Sequence, residues 1–475
     1  MRRPFVLLLV VSGLTSFAPA GAAGTAAPHT LRVDYFHTGN AREERFSLER
    51  VALEPLPWPG DPGKALDDTN LGKYFFEVID RTTRRVLYSR GFASIYGEWE
   101  TTGEAATMER TFSESLRFPR PDAPVQVVIR KRDAANDFRE IWSIVVDPGD
   151  MLVDASKPPS AGELLALQRS GDPAEKLDFL ILGDGYTAAE RGKCEGDSRR
   201  LMAMLFATEP FQSRRTDLNV WGLCPAADES GISRPSLGVH RRSPVGATYD
   251  AFRSERYILT FDNRAFRDLA SQAPYEVVEI LTNSHTYGGG GIFGQFSTVA
   301  ADSLWAPYVF IHEFGHHLAA LADEYYTSPV AYAPAPPGAR LEPWEPNVTA
   351  LLDPAELKWR DRVARDTPLP TPWAKKEFDE RSREIQAERR KIRAEKRPES
   401  DMDALFLRQR DEEEKRLGAE QYAGRVGAFE GANYESLGYY RPAADCIMFT
   451  RDRVPFCPVC RHALERVIDL YARRP

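Results

Sequence analysis

The sequence predicts an α+β architecture in two parts: an all-β sandwich domain over residues 24–150 and a mixed domain over 176–475, with a linker over 151–175. Three observations support this prediction. Short runs in the first part alternate apolar and polar residues, the pattern of half-buried strands. The second part begins with strand, helix and strand patterns in the order of an α/β layer. A largely apolar stretch, APYVFIHEFGHHLAALADEYY at 306–326, then carries the pattern His-Glu-x-x-His.

Residues 1–23 are predicted to be a secretory signal peptide. Two arginines precede the apolar run FVLLLVVSGL and the small residues APAGAA, which offer cleavage after Ala20 or Ala23. The apolar run is too short for a comfortable membrane span, and no later segment approaches one. We therefore expect a secreted or periplasmic protein without a transmembrane segment. The net charge of −8 gives no electrostatic footprint for nucleic acid.

The remaining elements follow in order along the chain. TLRVDYFHTG, KYFFEVIDRTTRRVLYSRGFASIY, VQVVIRKRD and REIWSIVVD are typical of strands, and DPGD and ASKPPSAG mark the linker. LDFLILGDGY then predicts a buried strand, TAAERGKCEGDSRRLMAMLFATEPF an amphipathic helix, and LNVWGLCPA and YEVVEILTNS two further strands. Together they form the layer on which an active-site helix would pack.

A glycine-rich segment, YGGGGIFGQFSTVA, precedes that helix. Glycine lets a backbone approach another chain closely. Gly289, Gly290 and Gly291 are therefore predicted to belong to an edge strand that pairs with an extended peptide. A flexible surface loop is the alternative interpretation.

His312 and His316 lie four residues apart, so on a helix both imidazoles project from one face and can bind one metal ion. Glu313 is the candidate general base. A zinc ion would lower the pKa of a bound water to ~7.

The third ligand is predicted among Asp323, Glu324 and a distant residue. On a continued helix Asp323 would lie ~10 Å further along the axis than His316. We therefore expect the helix to end after His317 and the chain to turn back, with Asp323 as ligand. Glu324 is the alternative ligand, or it holds a ring N–H of one of the histidines.

The segment 373–417 is dense in charges of both signs and predicts helices with Pro398 dividing them into two arms. A solvated helical protrusion is favoured over a lid on the cleft. Tyr439 and Tyr440 follow the insertion, and either could donate to the oxyanion of a tetrahedral intermediate. Packing in a cleft wall is the commoner use of such residues.

Export makes disulfides the expected state of cysteines. Cys194 and Cys224 are a plausible pair. Cys446 is expected to pair with Cys457 or Cys460. The rival interpretation is a second, structural zinc held by the three C-terminal cysteines with His462.

Several blocks resemble the IgA-peptidase-like secreted zinc metallopeptidases. They are the LADEY after His-Glu-x-x-His, LDFLILGDGYTAAE, ESG, NSHTYGGGGIFG and DCIMFTRDRVPFCPVC. This resemblance implies a zincin-type catalytic domain after a β-sandwich. It also implies one catalytic Zn²⁺ on His312, His316 and Asp323, with Glu313 as base. Met448 would lie in a turn that forms a hydrophobic floor beneath the metal.

The expected function is therefore a secreted zinc endopeptidase that acts on a protein or peptide substrate. One alternative is a binding or adhesion protein that uses the β-sandwich and is catalytically weak. Another is a zinc amidase that acts on cell-wall peptide. A groove open at both ends would favour the endopeptidase.

Overall fold

The computed structural model describes residues 28–327 and 340–473. The predicted signal peptide over 1–23 lies outside these residues. None of the helices within the described ranges combines the length and the apolar character that a bilayer crossing requires.

The N-terminal region is all-β, as predicted, apart from one short α-helix and one 3-10 turn at Pro62–Lys64. Its elements are β1 (His29–Gly39), β2 (Glu44–Pro57), β3 (Tyr74–Asp80), β4 (Val86–Phe92), α1 (Ile95–Trp99), β5 (Arg110–Pro119), β6 (Val125–Arg132) and β7 (Phe138–Val146). They form two antiparallel sheets, ordered β2-β1-β5 and β4-β3-β6-β7. Alternate residues of β1, such as Leu31 and Val33, share one apolar core with Phe76 and Val78 of β3.

The second region is a mixed α/β structure. Its strands are β8 (Leu165–Gln168), β9 (Leu177–Asp184), β10 (Leu218–Leu223), β11 (Ala247–Thr248), β12 (Leu259–Thr260), β13 (Val277–Thr282), β14 (Gly289–Ile292), β15 (Phe296–Ala300), β16 (Phe429–Ala432) and β17 (Glu435–Arg441). Its helices are α2 (Arg191–Leu205), α3 (Asn263–Ala270), α4 (Ala306–Ala319), α5 (Lys375–Ala394), α6 (Glu399–Gly418) and α7 (Pro458–Tyr471).

One six-stranded sheet organises this region, in the order β14-β15-β13-β9-β10-β8. The inner strands β15, β13, β9 and β10 are parallel, whereas β14 and β8 pair antiparallel at the two edges. Strand β8 lies within the predicted linker over 151–175, so the linker is shorter than expected. At four residues, LALQ is too short to show a strand period.

The sheet is covered on both faces, which explains its continuous apolar strands. Phe179 and Ile181 of β9 pack in one core with residues of α2, α4 and α7. Leu180 and Leu182 face the opposite core, which includes residues of α3 and α1. The helix α4 is thereby fixed on one face of the sheet, next to the edge strand β14.

The two regions are joined by a network of charged side chains. Arg32 and Arg50 of the first region each place an Nη2 atom 2.6 Å from Oδ1 of Asp268 in α3. Asp34 in turn accepts from Nε of Arg50 at 2.7 Å. Arg32 and Asp34 are fully buried. Because a buried charge is tolerated only when it is paired, this network fixes one docked arrangement.

The charged segment 373–417 forms α5 and α6, and Pro398 separates them as predicted. It is not a solvated protrusion, however. Ile385 and Ile392 of α5 and Phe406 of α6 are at most 2% exposed and belong to the core around α4. Each helix buries one apolar stripe, which the surrounding charges obscure in the sequence.

The cysteines divide into two groups. Cys194 and Cys224 form a disulfide, as predicted. Cys446, Cys457 and Cys460 are free thiols, so the predicted bond from Cys446 to Cys457 or Cys460 is absent. The Sγ atoms of Cys446 and Cys460 lie 3.9 Å apart, against ~2.05 Å in a disulfide. The three sulfurs and a carboxylate oxygen of the buried Glu324 all lie within 4.8 Å of one another, and no two of the sulfurs are bonded.

Candidate active site

The chain turns back at the end of helix α4, as the sequence predicts. The helix ends at Ala319, and Ala320 adopts a left-handed conformation with φ 54°. The helix thus continues two residues beyond His317 before the chain turns back. A left-handed alanine costs ~1–2 kcal/mol, and Asn347 offsets this strain. Its side chain accepts from Ala322 N at 2.8 Å and donates to Ala322 O at 3.0 Å.

The turn brings Asp323 back to the two histidines. Nε2 of His312 and Nε2 of His316 are 3.1 Å apart. Oδ1 of Asp323 lies 3.0 Å from the first and 3.3 Å from the second. A tetrahedral zinc with bonds of ~2.0–2.1 Å has ligand atoms ~3.3 Å apart. The triangle formed by these three atoms therefore fits a single zinc ion.

Backbone carbonyls fix the orientation of both imidazole rings. His312 Nδ1 donates to Ile447 O at 2.9 Å, and His316 Nδ1 donates to Leu321 O. In the neutral form that binds a metal, each ring therefore carries its proton on Nδ1, and both Nε2 atoms point at the same space. A hydrogen bond to the remote nitrogen fixes the tautomer in this way at metal sites generally.

Glu313 lies in the same cleft, and a carboxylate oxygen of it is within 4.8 Å of ligand atoms of both His312 and His316. Burial raises the pKa of Glu313 above its usual range, although the two histidines oppose this shift. Burial also disfavours the Asp323 carboxylate, but attraction to His316 and His312 outweighs burial and holds the pKa of Asp323 well below its usual range. The pKa values of the two carboxyl groups are therefore shifted in opposite directions.

Glu324 points to the opposite side of the chain from Asp323. Its Oε1 accepts from Asn347 Nδ2 at 3.0 Å and from Cys460 Sγ at 3.2 Å. The prediction that Glu324 holds a histidine N–H is therefore wrong. Carbonyl oxygens of the backbone perform that task, and no sequence pattern specifies a carbonyl.

Tyr434 is a site residue that the sequence did not indicate. It lies with Asn433 in the two-residue turn between β16 and β17, where both residues have positive φ, as a type I′ turn requires. The Tyr434 hydroxyl donates to Oδ2 of Asp323, and Asn433 N donates to Asp323 O at 3.0 Å. A bulky residue at positive φ is strained, and only the asparagine signals the turn in the sequence.

Tyr439 and Tyr440 occupy β17. Tyr439 lines the cleft, and its hydroxyl donates to Leu341 O at 3.3 Å. Tyr440 does not line the cleft in the described part of the chain, and its backbone pairs with Thr349. Two other cleft tyrosines make side-chain hydrogen bonds near Asp323: Tyr434 donates to Asp323 itself, and Tyr325 accepts from Arg256 at 3.0 Å.

Gly289, Gly290 and Gly291 lie in β14, at the edge of the six-stranded sheet and alongside α4. A Cβ on Gly289 would come within 2.4 Å of Val309 Cγ1, and one on Gly291 within 2.4 Å of Glu313 O. Glycine is thus required for the edge strand to lie directly on the helix. Gly289 and Gly291 line a cleft of about 490 Å³, which is also lined by residues of α1.

Met448 lies in a turn directly beneath α4. It is fully buried, and its Sδ is 3.2 Å from an ideal Cβ placed on Gly315. Its carbonyl accepts from Glu324 N at 2.9 Å. The turn therefore supports both the helix and the segment that carries Asp323.

A helix that presents His-Glu-x-x-His beside a returning aspartate, in a cleft bounded by an edge strand, defines the class: a metal-dependent peptidase site. Comparison with protein families agrees. The model of IgA Peptidase M64 matches residues 165–468, and that of Peptidase M64 N-terminus matches residues 24–143. The chain therefore belongs to the IgA peptidase M64 family and is a metallopeptidase at family level. No curated protein matches the chain.

Proposed function

We propose that this protein is a secreted zinc-dependent endopeptidase in which His312, His316 and Asp323 hold the catalytic ion and Glu313 is the general base. The single observation that carries the proposal is the triangle of 3.0, 3.1 and 3.3 Å between the two Nε2 atoms and Oδ1 of Asp323. Its edges match those of a tetrahedral zinc site. When bound there, zinc would act as a Lewis acid that polarises a carbonyl and makes a water more acidic.

Glu313 would accept the proton of the attacking water and deliver it to the leaving amine. Burial supports this role because it raises the pKa of Glu313 towards neutrality, where a group can both take and release a proton. Tyr434 would keep the Asp323 carboxylate oriented through its hydroxyl.

The substrate would bind as an extra strand along β14. At Gly289 the outward backbone groups are already paired: its N–H donates to Arg256 O and its C=O accepts from Ile258 N, both at 3.1 Å. Because backbone groups alternate along a strand, those of Gly291 point to the same outer side, towards the cleft. An extended peptide could pair there and present its scissile bond to Glu313.

Export is part of the proposal. The disulfide between Cys194 and Cys224 supports it, because such bonds persist in oxidising compartments.

Replacing Glu313 with glutamine tests the mechanism. The variant should retain the zinc content of the wild type but lose ~10²–10⁴-fold in peptide hydrolysis, because the ligands remain while proton transfer is lost. Glu384→Gln, the same change at an exposed position of α5 outside the cleft, is the matched control and should remain active. Wild-type turnover by metal-loaded Glu313→Gln would refute the assignment.

A further inference from the structure

A second group of metal-binding side chains lies behind the active site. The Sγ atoms of Cys446, Cys457 and Cys460 and a carboxylate oxygen of Glu324 are all within 4.8 Å of one another. Cys446, Cys460 and Glu324 are 0% exposed, and Cys457 is 5% exposed. The cluster is therefore closed to solvent, unlike the cleft that contains the two active-site histidines.

The distances in the cluster are those of ligands around an ion. Tetrahedral zinc with bonds to sulfur of ~2.3 Å has sulfurs ~3.8 Å apart. The Sγ atoms of Cys446 and Cys460 are 3.9 Å apart. A mixed sulfur and oxygen edge would be ~3.5 Å, and Cys460 Sγ lies 3.2 Å from Oε1 of Glu324.

Glu324 supplies an independent indication. Its Oε2 atom is buried and has no hydrogen-bond partner within the described residues. An isolated buried carboxylate is strongly disfavoured unless it is paired or coordinates a metal. The thiol of Cys460 and the amide of Asn347 both contact Oε1, so the second oxygen still lacks a partner.

The backbone around the cysteines is arranged to hold thiolates. Cys457 is the N-cap of α7 and Cys460 lies in its first turn. This is Cys-x-x-Cys spacing, common in structural zinc sites, at a helix end that favours negative charge. Cys457 N also donates to Cys446 Sγ at 3.3 Å. His462 is on the exposed side of α7, so it is not the fourth ligand that the sequence had suggested.

We propose that Cys446, Cys457, Cys460 and Glu324 bind a second zinc ion in a closed, four-coordinate structural site. Three thiolates and one carboxylate with Zn²⁺ carry a net charge of −2, the same as the common site of four cysteines. With four protein ligands there is no open position for a substrate, so this site stabilises the fold and catalyses nothing.

This second site would brace the first. Glu324 directly follows Asp323, and Cys446 directly precedes Ile447, whose carbonyl orients His312. The ion would thus join the segment after α4, the Met448 turn and α7 at one point. The two sites remain separable, because the sets of ligands share no residue.

Metal analysis of the full chain tests the proposal. A variant with His312→Ala and His316→Ala should lose the catalytic ion but still hold one zinc per chain after dialysis against a mild chelator. The same variant loaded with Co²⁺ should show absorption from thiolate-to-cobalt charge transfer. Replacing Cys446 and Cys460 with serine in that background should abolish both signals.

Glu324→Gln gives a milder variant that is expected to fold. It should release the second zinc at a chelator concentration at least ~10-fold lower than the wild type does. Replacing a residue that only hydrogen-bonds to a metal ligand already lowers affinity on this scale. Glu279→Gln, at another fully buried carboxyl, is the control and should leave zinc retention unchanged.

Two results would overturn the proposal: a disulfide from Cys446 to Cys457 or Cys460 in non-reducing peptide maps, or no zinc and no thiolate band in the variant that lacks both histidines. Failure of the catalytic assignment is distinguishable from these results. It would appear as unchanged zinc content when the histidines are replaced, whatever the state of the cysteines.

Discussion

Replacing Gly291 with alanine should move the edge strand β14 off the active-site helix. The added Cβ would lie 2.4 Å from Glu313 O and 3.0 Å from His316 Cβ. The first distance is about 0.6 Å inside the ~3.0 Å that real Cβ atoms keep, and packed interiors do not absorb such overlap. The obstacle is helix backbone, so the strand must shift. A misplacement of ~1 Å can lower activity by ~10²-fold, and we expect a loss of about 10-fold to 100-fold.

The assay is kcat/KM on quenched-fluorescent peptides, with zinc content measured in parallel. Zinc should be retained, because the ligands are on α4 and the segment after it. Gly196→Ala is the matched control, since a Cβ there meets nothing within 4 Å on an exposed position of α2. It should keep full activity and gain up to ~1 kcal/mol of stability. Gly291→Ala with wild-type kcat/KM would refute the role of close contact between strand and helix.

Two further predictions concern the support of the site and the sheet beneath it. Tyr434→Phe should weaken zinc binding ~10–100-fold, because Asp323 loses the hydroxyl that orients it; competition with a chelator measures this, and Tyr439→Phe should show no change. Burial raises the pKa of Asp178 to about 6, above its unfolded value of ~3.9, so ionisation should lower the free energy of unfolding by about 3 kcal/mol as the pH rises from about 4 to 6. Asp178→Asn should remove that loss. The free energy of unfolding of the variant minus that of the wild type, measured in urea, should therefore increase as the pH rises through this interval. A difference that is constant with pH would contradict the assignment.

The sequence could predict what depends on local geometry. A helix with histidines at i and i+4 must present both on one face, and the buried strand LDFLILGD had to lie inside a covered sheet. The all-β N-terminal region followed from short alternating runs. The glycines were compatible with an edge strand or a surface loop in the sequence, and the structure places them in the edge strand β14.

What the sequence could not predict depends on contacts between distant segments. Asn347 stabilises the turn at Ala320 from a position beyond the LADEY segment, and its own sequence context, NVT, suggests only a glycosylation acceptor. Tyr434 reaches Asp323 because a strained hairpin turn docks against the same segment. The backbone carbonyl of Ile447 orients His312, and because any residue has a carbonyl, the identity of this residue gives no signal in the sequence. Each of these partners is set by tertiary packing, which outweighs local pattern.

The neighbouring acids Asp323 and Glu324 could not be told apart in the sequence, but in the structure their side chains point in different directions. Along an extended segment, successive side chains point to opposite sides. Once Asp323 faces the histidines, Glu324 must face the interior behind them. There it meets Cys460 and Asn347 in a place where a lone carboxylate is disfavoured. The same geometry that turns one acid towards the cleft therefore leaves the other in a place where its charged form is favoured only when it is paired or bound to a metal. The three cysteines that surround Glu324 are the ligands that would recruit one.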